Sequence, residues 1–139
     1  MNLLKFHNKI KGYTQNRQPG IEADMEPKPI AELEEYKAAG KLENKVALIT
    51  GGDSGIGRAI AILYAKEGAN VAIGYYDEHQ DAEDTVNRLQ EMGVKAKAYA
   101  HDLKDEKQSQ KLIKDVINDF GSLNILVNNG GVQFPRDHF

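Results

Sequence analysis

The sequence predicts an α/β fold class: a parallel sheet with helices on both faces, three layers in all. Three observations predict it. Short apolar runs alternate with stretches of helical length from Lys45 to Val127. The runs, such as Val46-Ala-Leu-Ile49 and Leu123-Asn-Ile-Leu-Val127, lack the regular apolar–polar alternation of a strand with one wet face, as strands buried on both sides do. The first run also passes through adjacent glycines directly into a helical pattern, and that is the context in which a glycine turn is informative.

The elements follow in order. Residues 1 to about 29 carry Gly12, Pro19, Gly20, Pro27 and Pro29 with few aliphatic side chains, and read as an extended arm. Residues 30–39 are compatible with a short helix stopped by Gly40, so residues 1–44 are expected to precede the domain and 45–139 to form it. Strand Val46–Ile49 leads to a helix over about 55–67, with Ile56, Ala59, Ile60, Leu63 and Tyr64 at helical spacing, ended by Gly68. Strand Asn70–Tyr76 follows. The next helix covers about 81–92, with Ala82, Val86, Leu89 and Met92 on one face, and Gly93 ends it. Strand Val94–Ala100 leads to a helix over about 105–120, whose inner face is Leu112, Ile113, Val116, Ile117 and Phe120, ended by Gly121. Strand Leu123–Val127 comes last. Right-handed crossovers between parallel strands then predict the order 3-2-1-4 of a doubly wound, NAD(P)-binding Rossmann half, truncated after the fourth strand.

Composition narrows the function classes. The 139 residues are 40% hydrophobic and 28% charged, with a formal net charge of −3. That length suits one domain, and the charge opposes a general nucleic-acid surface. No cysteine is present, so disulfides and thiolate metal sites are excluded. No apolar run approaches the ~20 residues of a membrane helix, and Met1-Asn-Leu-Leu-Lys-Phe-His-Asn-Lys9 lacks a signal-peptide apolar region. A cytoplasmic protein with neither nucleic-acid nor membrane partners is expected. His7, His79, His101 and His138 show no metal-ligand spacing, and are expected to be solvated or strand-end residues; no metal site is predicted.

The chemistry centres on Val46-Ala-Leu-Ile-Thr-Gly-Gly-Asp-Ser-Gly-Ile-Gly-Arg58. Glycines allow φ > 0 in the turn, and without Cβ atoms they let a pyrophosphate approach the backbone. The helix that follows offers N–H groups and a positive dipole end to that anion. Gly51, Asp53, Ser54, Gly55, Ile56 and Gly57 form this candidate cofactor loop. Ser54 is suited to donate its hydroxyl to a phosphate, but no base is spaced to make it a nucleophile. Asp53 reads first as a turn residue, because a carboxylate repels phosphate.

The spacing Thr50-Gly51-x-x-x-Gly55-x-Gly57 resembles the nucleotide motif of the short-chain dehydrogenase/reductase family. Two further motifs resemble the same family. His101-Asp102-Leu103 closes the third strand, and Asn128-Asn129-Gly130-Gly131 follows the fourth with Gly130 in place of the family's Ala. The resemblance spans roughly Gln18 to the last residue. The arm, with Gln18-Pro-Gly-Ile-Glu22, is similar to that of a bacterial general-stress and glucose-dehydrogenase-like subgroup. It implies NAD or NADP as cofactor and an alcohol or carbonyl small molecule as substrate of a full-length form, which is expected to be a homo-oligomer. It further implies that Tyr75, with Asp77 two residues on, faces the adenosine ribose. Asp102 and Leu103 would face the adenine, and Asn128 and Gly130 would lie along the cofactor. Asp102 equally suits the N-cap of the next helix. Asp77 and the lack of an Arg after the second strand favour NAD.

Family members transfer hydride with a Ser, a Tyr-x-x-x-Lys pair and a helical Asn. Four residues after Tyr13, Tyr36, Tyr64, Tyr75, Tyr76 and Tyr99 stand Arg17, Gly40, Gly68, His79, Gln80 and Leu103. None is Lys, so no catalytic residue is assigned, and the catalytic group is expected beyond Phe139. The chain resembles the cofactor-binding half of such an oxidoreductase. A non-catalytic nucleotide-binding or interaction module, or a half-enzyme completed by a second chain, are the alternatives.

Overall fold

A computed structural model describes residues 15–16, 20–33 and 35–132. Residues 1–14, 17–19, 34 and 133–139 lie outside the described residues, and with them His7, His138 and most of the expected arm. Residues 30–131 form one compact unit. Its elements are β1 (Val46–Thr50), α1 (Gly55–Lys66), β2 (Asn70–Tyr75), α2 (His79–Glu91), β3 (Ala96–Ala100), α3 (Glu106–Phe120) and β4 (Ile125–Val127).

All pairings are parallel, and the order is β3-β2-β1-β4, as expected. Val46 lies opposite Asn70 and Thr50 opposite Gly74, Ala47 to Ile49 pair with Ile125 to Val127, and Val71 pairs with Ala96. Every residue of β1 is buried. Its period-two alternation sends Ile49 to one core and Val46 and Leu48 to the other. The first core also holds Val71 and Ile73 with Ala61, Ile62 and Ala65 of α1 and Ala82 and Leu89 of α2. The second holds Ala72 with Leu112 and Val116 of α3. The layers are therefore α1 and α2, the sheet, and α3. Among the described residues β4 pairs only with β1, and its Leu126 is 48% exposed on the open edge.

Two helix faces depart from the expected ones. On α1 the buried positions are Gly57, Ala61, Ile62 and Ala65, whereas Ile56 and Leu63 are exposed. Periodicity selects the largest apolar side chains. Close approach of a helix to the sheet selects small ones, and here Gly57, Ala61 and Ala65 form the contact stripe. On α3, Leu112 and Val116 are buried but Ile117 is exposed.

The described residues of 30–39 are not helical, contrary to expectation. A buried carboxylate engages this segment instead. Glu67, 4% exposed at the end of α1, accepts from the Tyr36 hydroxyl and from the backbone N–H groups of Ala39 (3.1 Å) and Lys41 (2.8 Å). The Ala39 N–H would be committed to the carbonyl of Glu35 in a helix over 30–39. Gly40 adopts φ +67, and its position opposite Glu43 marks a left-handed turn between segment and strand. Glu32 pairs with Lys66 (2.9 Å) and with Arg88 (2.9 Å) of α2. Ala31 and Leu42 pack on the first core. Residues 30–44 thus belong to the compact unit of residues 30–131.

In the remainder, Gln15 brackets Ile21 through both ends of its side-chain amide, and Glu22–Asp24 form one 3-10 turn. No helix among the described residues is long and apolar enough to cross a membrane.

Candidate dinucleotide site

The candidate residues gather at the C-terminal ends of the four strands, the end at which open parallel sheets bind ligands. The glycines there have different physical reasons. Gly51 takes φ +62, and a Cβ on it would stand 2.9 Å from Gly130 Cα. Gly52 packs against Ile73 and donates its N–H to Gly74 O at 3.2 Å. A Cβ on Gly57 would overlap the Gly51 carbonyl, so this glycine lets α1 start against the turn. Gly55 takes φ +54, and a Cβ there would meet nothing within 4 Å. Gly55 is therefore a left-handed position at a helix N-terminus where the space a side chain would fill is open. Ser54 is the N-cap residue, yet its side chain makes no cap hydrogen bond.

Asn129 closes the loop from the β4 side. Its Nδ2 donates to Thr50 O and Gly51 O, both at 3.0 Å. Thr50, 4% exposed, donates through Oγ1 to Val127 O (3.3 Å) and accepts from the backbone N–H of Asn129 (3.1 Å) and Gly130 (3.0 Å). These two residues were not singled out by sequence. Asn128, which was, is exposed. The only sequence signal for Asn129 was its place in the Asn-Asn-Gly-Gly run, which does not reveal which amide turns inward. A Cβ on Gly130 would stand 3.0 Å from Leu103 Cδ1 and 3.1 Å from Gly51 N, so glycine leaves this junction room that alanine would fill.

Asp53 is 6% exposed, and its backbone carbonyl accepts from the buried Thr85 hydroxyl at 2.9 Å. This agrees with a turn residue held onto α2. Ile56 is 74% exposed beside Gly55.

At the end of β2, Tyr75 packs partly on the first core, and its hydroxyl hydrogen-bonds His79 Nδ1 at 2.8 Å. The two rings meet edge to face. Asp77 is exposed. The Glu78 carboxyl is pushed above its usual range, first by burial, then by its hydrogen bond with Asp77, with the Asp53 charge adding to it. Three carboxylates therefore share this corner.

At the end of β3, Asp102 Oδ1 accepts from Lys104 N at 2.9 Å, and Leu103 is exposed. The N-cap of α3 is Asp105, which accepts from Lys107 N and Gln108 N, so Asp102 does not cap that helix. Three residues of turn separate Asp102 from the first helical turn, which puts its carboxylate out of reach of those N–H groups. Hydrogen bonds from Gln108 hold the Asp105 carboxyl below its usual range. His101, expected to be a strand-end or solvated residue, is 7% exposed. Among the described residues no group of three or more His, Asp or Glu side chains could hold a metal.

Glycine turn, helix start and the ends of β2, β3 and β4 lie together at the C-terminal edge of one parallel sheet. The short chain dehydrogenase family matches residues 45–138, and the chain belongs to that family. General stress protein 39 of Bacillus subtilis is 49% identical over 135 residues, which is 97% of this chain and 47% of that protein. A glucose and ribitol dehydrogenase homolog of Oryza sativa is 41% identical over 130 residues, 88% of this chain and 43% of that protein. Among solved structures, a short chain dehydrogenase from Burkholderia cenocepacia in complex with NADP is 40% identical with a TM-score of 0.65, over 66% of this chain and 38% of that one. An NAD⁺-bound xylitol dehydrogenase is 33% identical with a TM-score of 0.64, over 67% and 35%. The chain spans less than half the length of these relatives.

Proposed function

We infer that these residues bind the adenosine and pyrophosphate portions of a nicotinamide dinucleotide, and that they serve an oxidoreductase acting on an alcohol/carbonyl pair. The observation that carries this reading is Gly55: a left-handed residue facing open space at the N-terminus of a twelve-residue helix. A phosphate there meets the first turn of the helix and the positive end of its dipole. The uncapping Ser54 hydroxyl suits the same anion. Asp77 would take the adenosine ribose hydroxyls beside Tyr75, and Asp102 and Leu103 would take the adenine. Gly130 and Asn128 would border the nicotinamide side. The dinucleotide, when bound, supplies hydride chemistry; the chain's own residues bind and orient it.

Charge favours NAD over NADP. Asp77 and Asp53 already raise the cost of ionising Glu78, and a 2′-phosphate would add charge of the same sign. That the Burkholderia relative carries NADP and the xylitol dehydrogenase NAD⁺ leaves the choice to this corner.

Substrate chemistry is proposed for a longer chain only, since none of the six tyrosines has a Lys four residues on. Such a chain is proposed to be a cytoplasmic homo-oligomer. Titration calorimetry of the 139-residue chain with NAD and NADP tests the reading. Binding of NAD, tighter than NADP, with no turnover of alcohols in a nicotinamide absorbance assay, is the expected result. No binding of either cofactor would overturn it, and turnover would overturn the restriction to cofactor binding.

A further inference from the structure

His101 ends β3 with its ring buried and with no hydrogen-bond partner for Nδ1 or Nε2 among the described residues. A neutral imidazole carries one donor and one acceptor. Native structures rarely leave such groups unmade, and an orphaned pair calls for an explanation such as a ligand. The slot that holds the ring is built for it. A Cβ on Gly74 would overlap His101 Cε1 and stand 3.1 Å from Nδ1 and 3.4 Å from Nε2. The nitrogen-bearing edge of the ring therefore rests on the bare Cα of Gly74. The backbone N–H of His101 donates to Tyr75 O at 2.9 Å. His101 thus spans the ends of β2 and β3. It lies between Tyr75, read above as facing the ribose, and Asp102, read above as facing the adenine.

We propose that His101 is a binding residue for the adenosine end of the dinucleotide. On binding, the ring turns from its slot about its side-chain torsions, and one nitrogen pairs with a polar atom of the adenosine. The hydrogen bond that this nitrogen lacks in the slot and gains from the adenosine is what favours the turn. The proposal rests on the reading that a dinucleotide binds here. Asp102 and Leu103 would contact the base from the loop, whereas His101 would act from beneath it, between the strand ends.

The test uses the 139-residue chain and two probes, ADP-ribose, which contains the adenosine, and nicotinamide mononucleotide, which lacks it. Long-range ¹⁵N–¹H spectra of the imidazole side chains report hydrogen bonding at each ring nitrogen, and the His101 signals are those lost in His101→Asn. ADP-ribose is expected to move a His101 ring nitrogen, and nicotinamide mononucleotide to leave it in place. His101→Phe, which keeps a ring without nitrogens, should lose about tenfold in affinity for ADP-ribose, the worth of one hydrogen bond. His101→Asn should retain most of the affinity. A ring signal that stays put while ADP-ribose binds would overturn the proposal, and so would His101→Phe binding as wild type does. If His101→Phe does not fold, the wild-type spectra decide alone. If ADP-ribose does not bind to wild type, the dinucleotide reading itself is refuted, a failure distinct from binding that ignores His101.

Discussion

Asn129 reaches from the end of β4 to the glycine turn after β1, and its one amide nitrogen donates to the carbonyls of both Thr50 and Gly51 at 3.0 Å. The turn is therefore held from outside its own sequence by a residue 78 positions away. Replacing the donor by an acceptor should be worse than deleting it. Asn129→Asp sets a carboxylate against two carbonyls, while Asn129→Ala leaves only unmade bonds. The midpoint of urea unfolding should fall in the order wild type, Ala, Asp. Equal midpoints for the two variants would show that the amide does not carry the contact.

Thr50→Val keeps the shape of the side chain and removes its hydroxyl. That hydroxyl is buried and serves Val127, Asn129 and Gly130 at once. The backbone N–H groups of Asn129 and Gly130 then lose their acceptor, at a cost of about 1–3 kcal/mol. Urea unfolding checks this, and a change below about 0.5 kcal/mol would place it among ordinary surface substitutions.

Gly55 and Gly57 should separate binding from stability. Gly57→Ala drives a Cβ into the Gly51 carbonyl, an overpacking that costs about 1–3 kcal/mol or more. Gly55→Ala meets nothing within 4 Å, so its stability cost is only the strain of the left-handed backbone, roughly 1–2 kcal/mol. Its Cβ would stand where the phosphate is proposed, so it should abolish NAD binding while the chain stays folded. Calorimetry beside circular dichroism gives both readouts. Undiminished NAD binding by Gly55→Ala would remove the phosphate from this position.

The Glu67 carboxyl is lowered from 4.5 to about 2, chiefly by the Tyr36 hydroxyl and then by the Lys41 N–H. A folded-state value below the unfolded one contributes stability that is present above about 4.5 and lost as pH falls towards 2. Tyr36 is raised above its usual 10.0 by the same hydrogen bond, so its share is present below that pH and lost as pH rises through the raised value. Glu67→Gln should flatten the melting temperature across the acid window. A variant with the acid slope of wild type would assign that slope to other carboxylates.

Glu32 faces two cations, Lys66 and Arg88, at 2.9 Å each. Arg88 first, and then Lys66, hold its carboxyl below the usual range. The three groups are partly solvated, so Glu32→Gln should cost no more than about 1 kcal/mol, and less at high salt. A loss that persists unchanged in 1 M salt would point to packing of the side chain instead of charge.

The amino-acid sequence by itself determined the strand–helix alternation, the parallel order of the sheet and the location of the glycine turn. These depend on local physics: runs of apolar residues, helical spacing, and glycine where φ must be positive. Only the tertiary structure decided which groups those elements bring together. Size misled the reading of α1, because the sheet admits Gly57, Ala61 and Ala65 and leaves Ile56 outside. The helix expected over 30–39 gave way to a buried carboxylate nearly thirty residues downstream, which engages the Ala39 N–H a helix would use. Asn129, Thr50 and the buried ring of His101 share one cause. Each owes its role to a partner on a neighbouring strand, Thr50, Val127 or Gly74. Such a partner is set by sheet register, and no spacing along the chain reveals it.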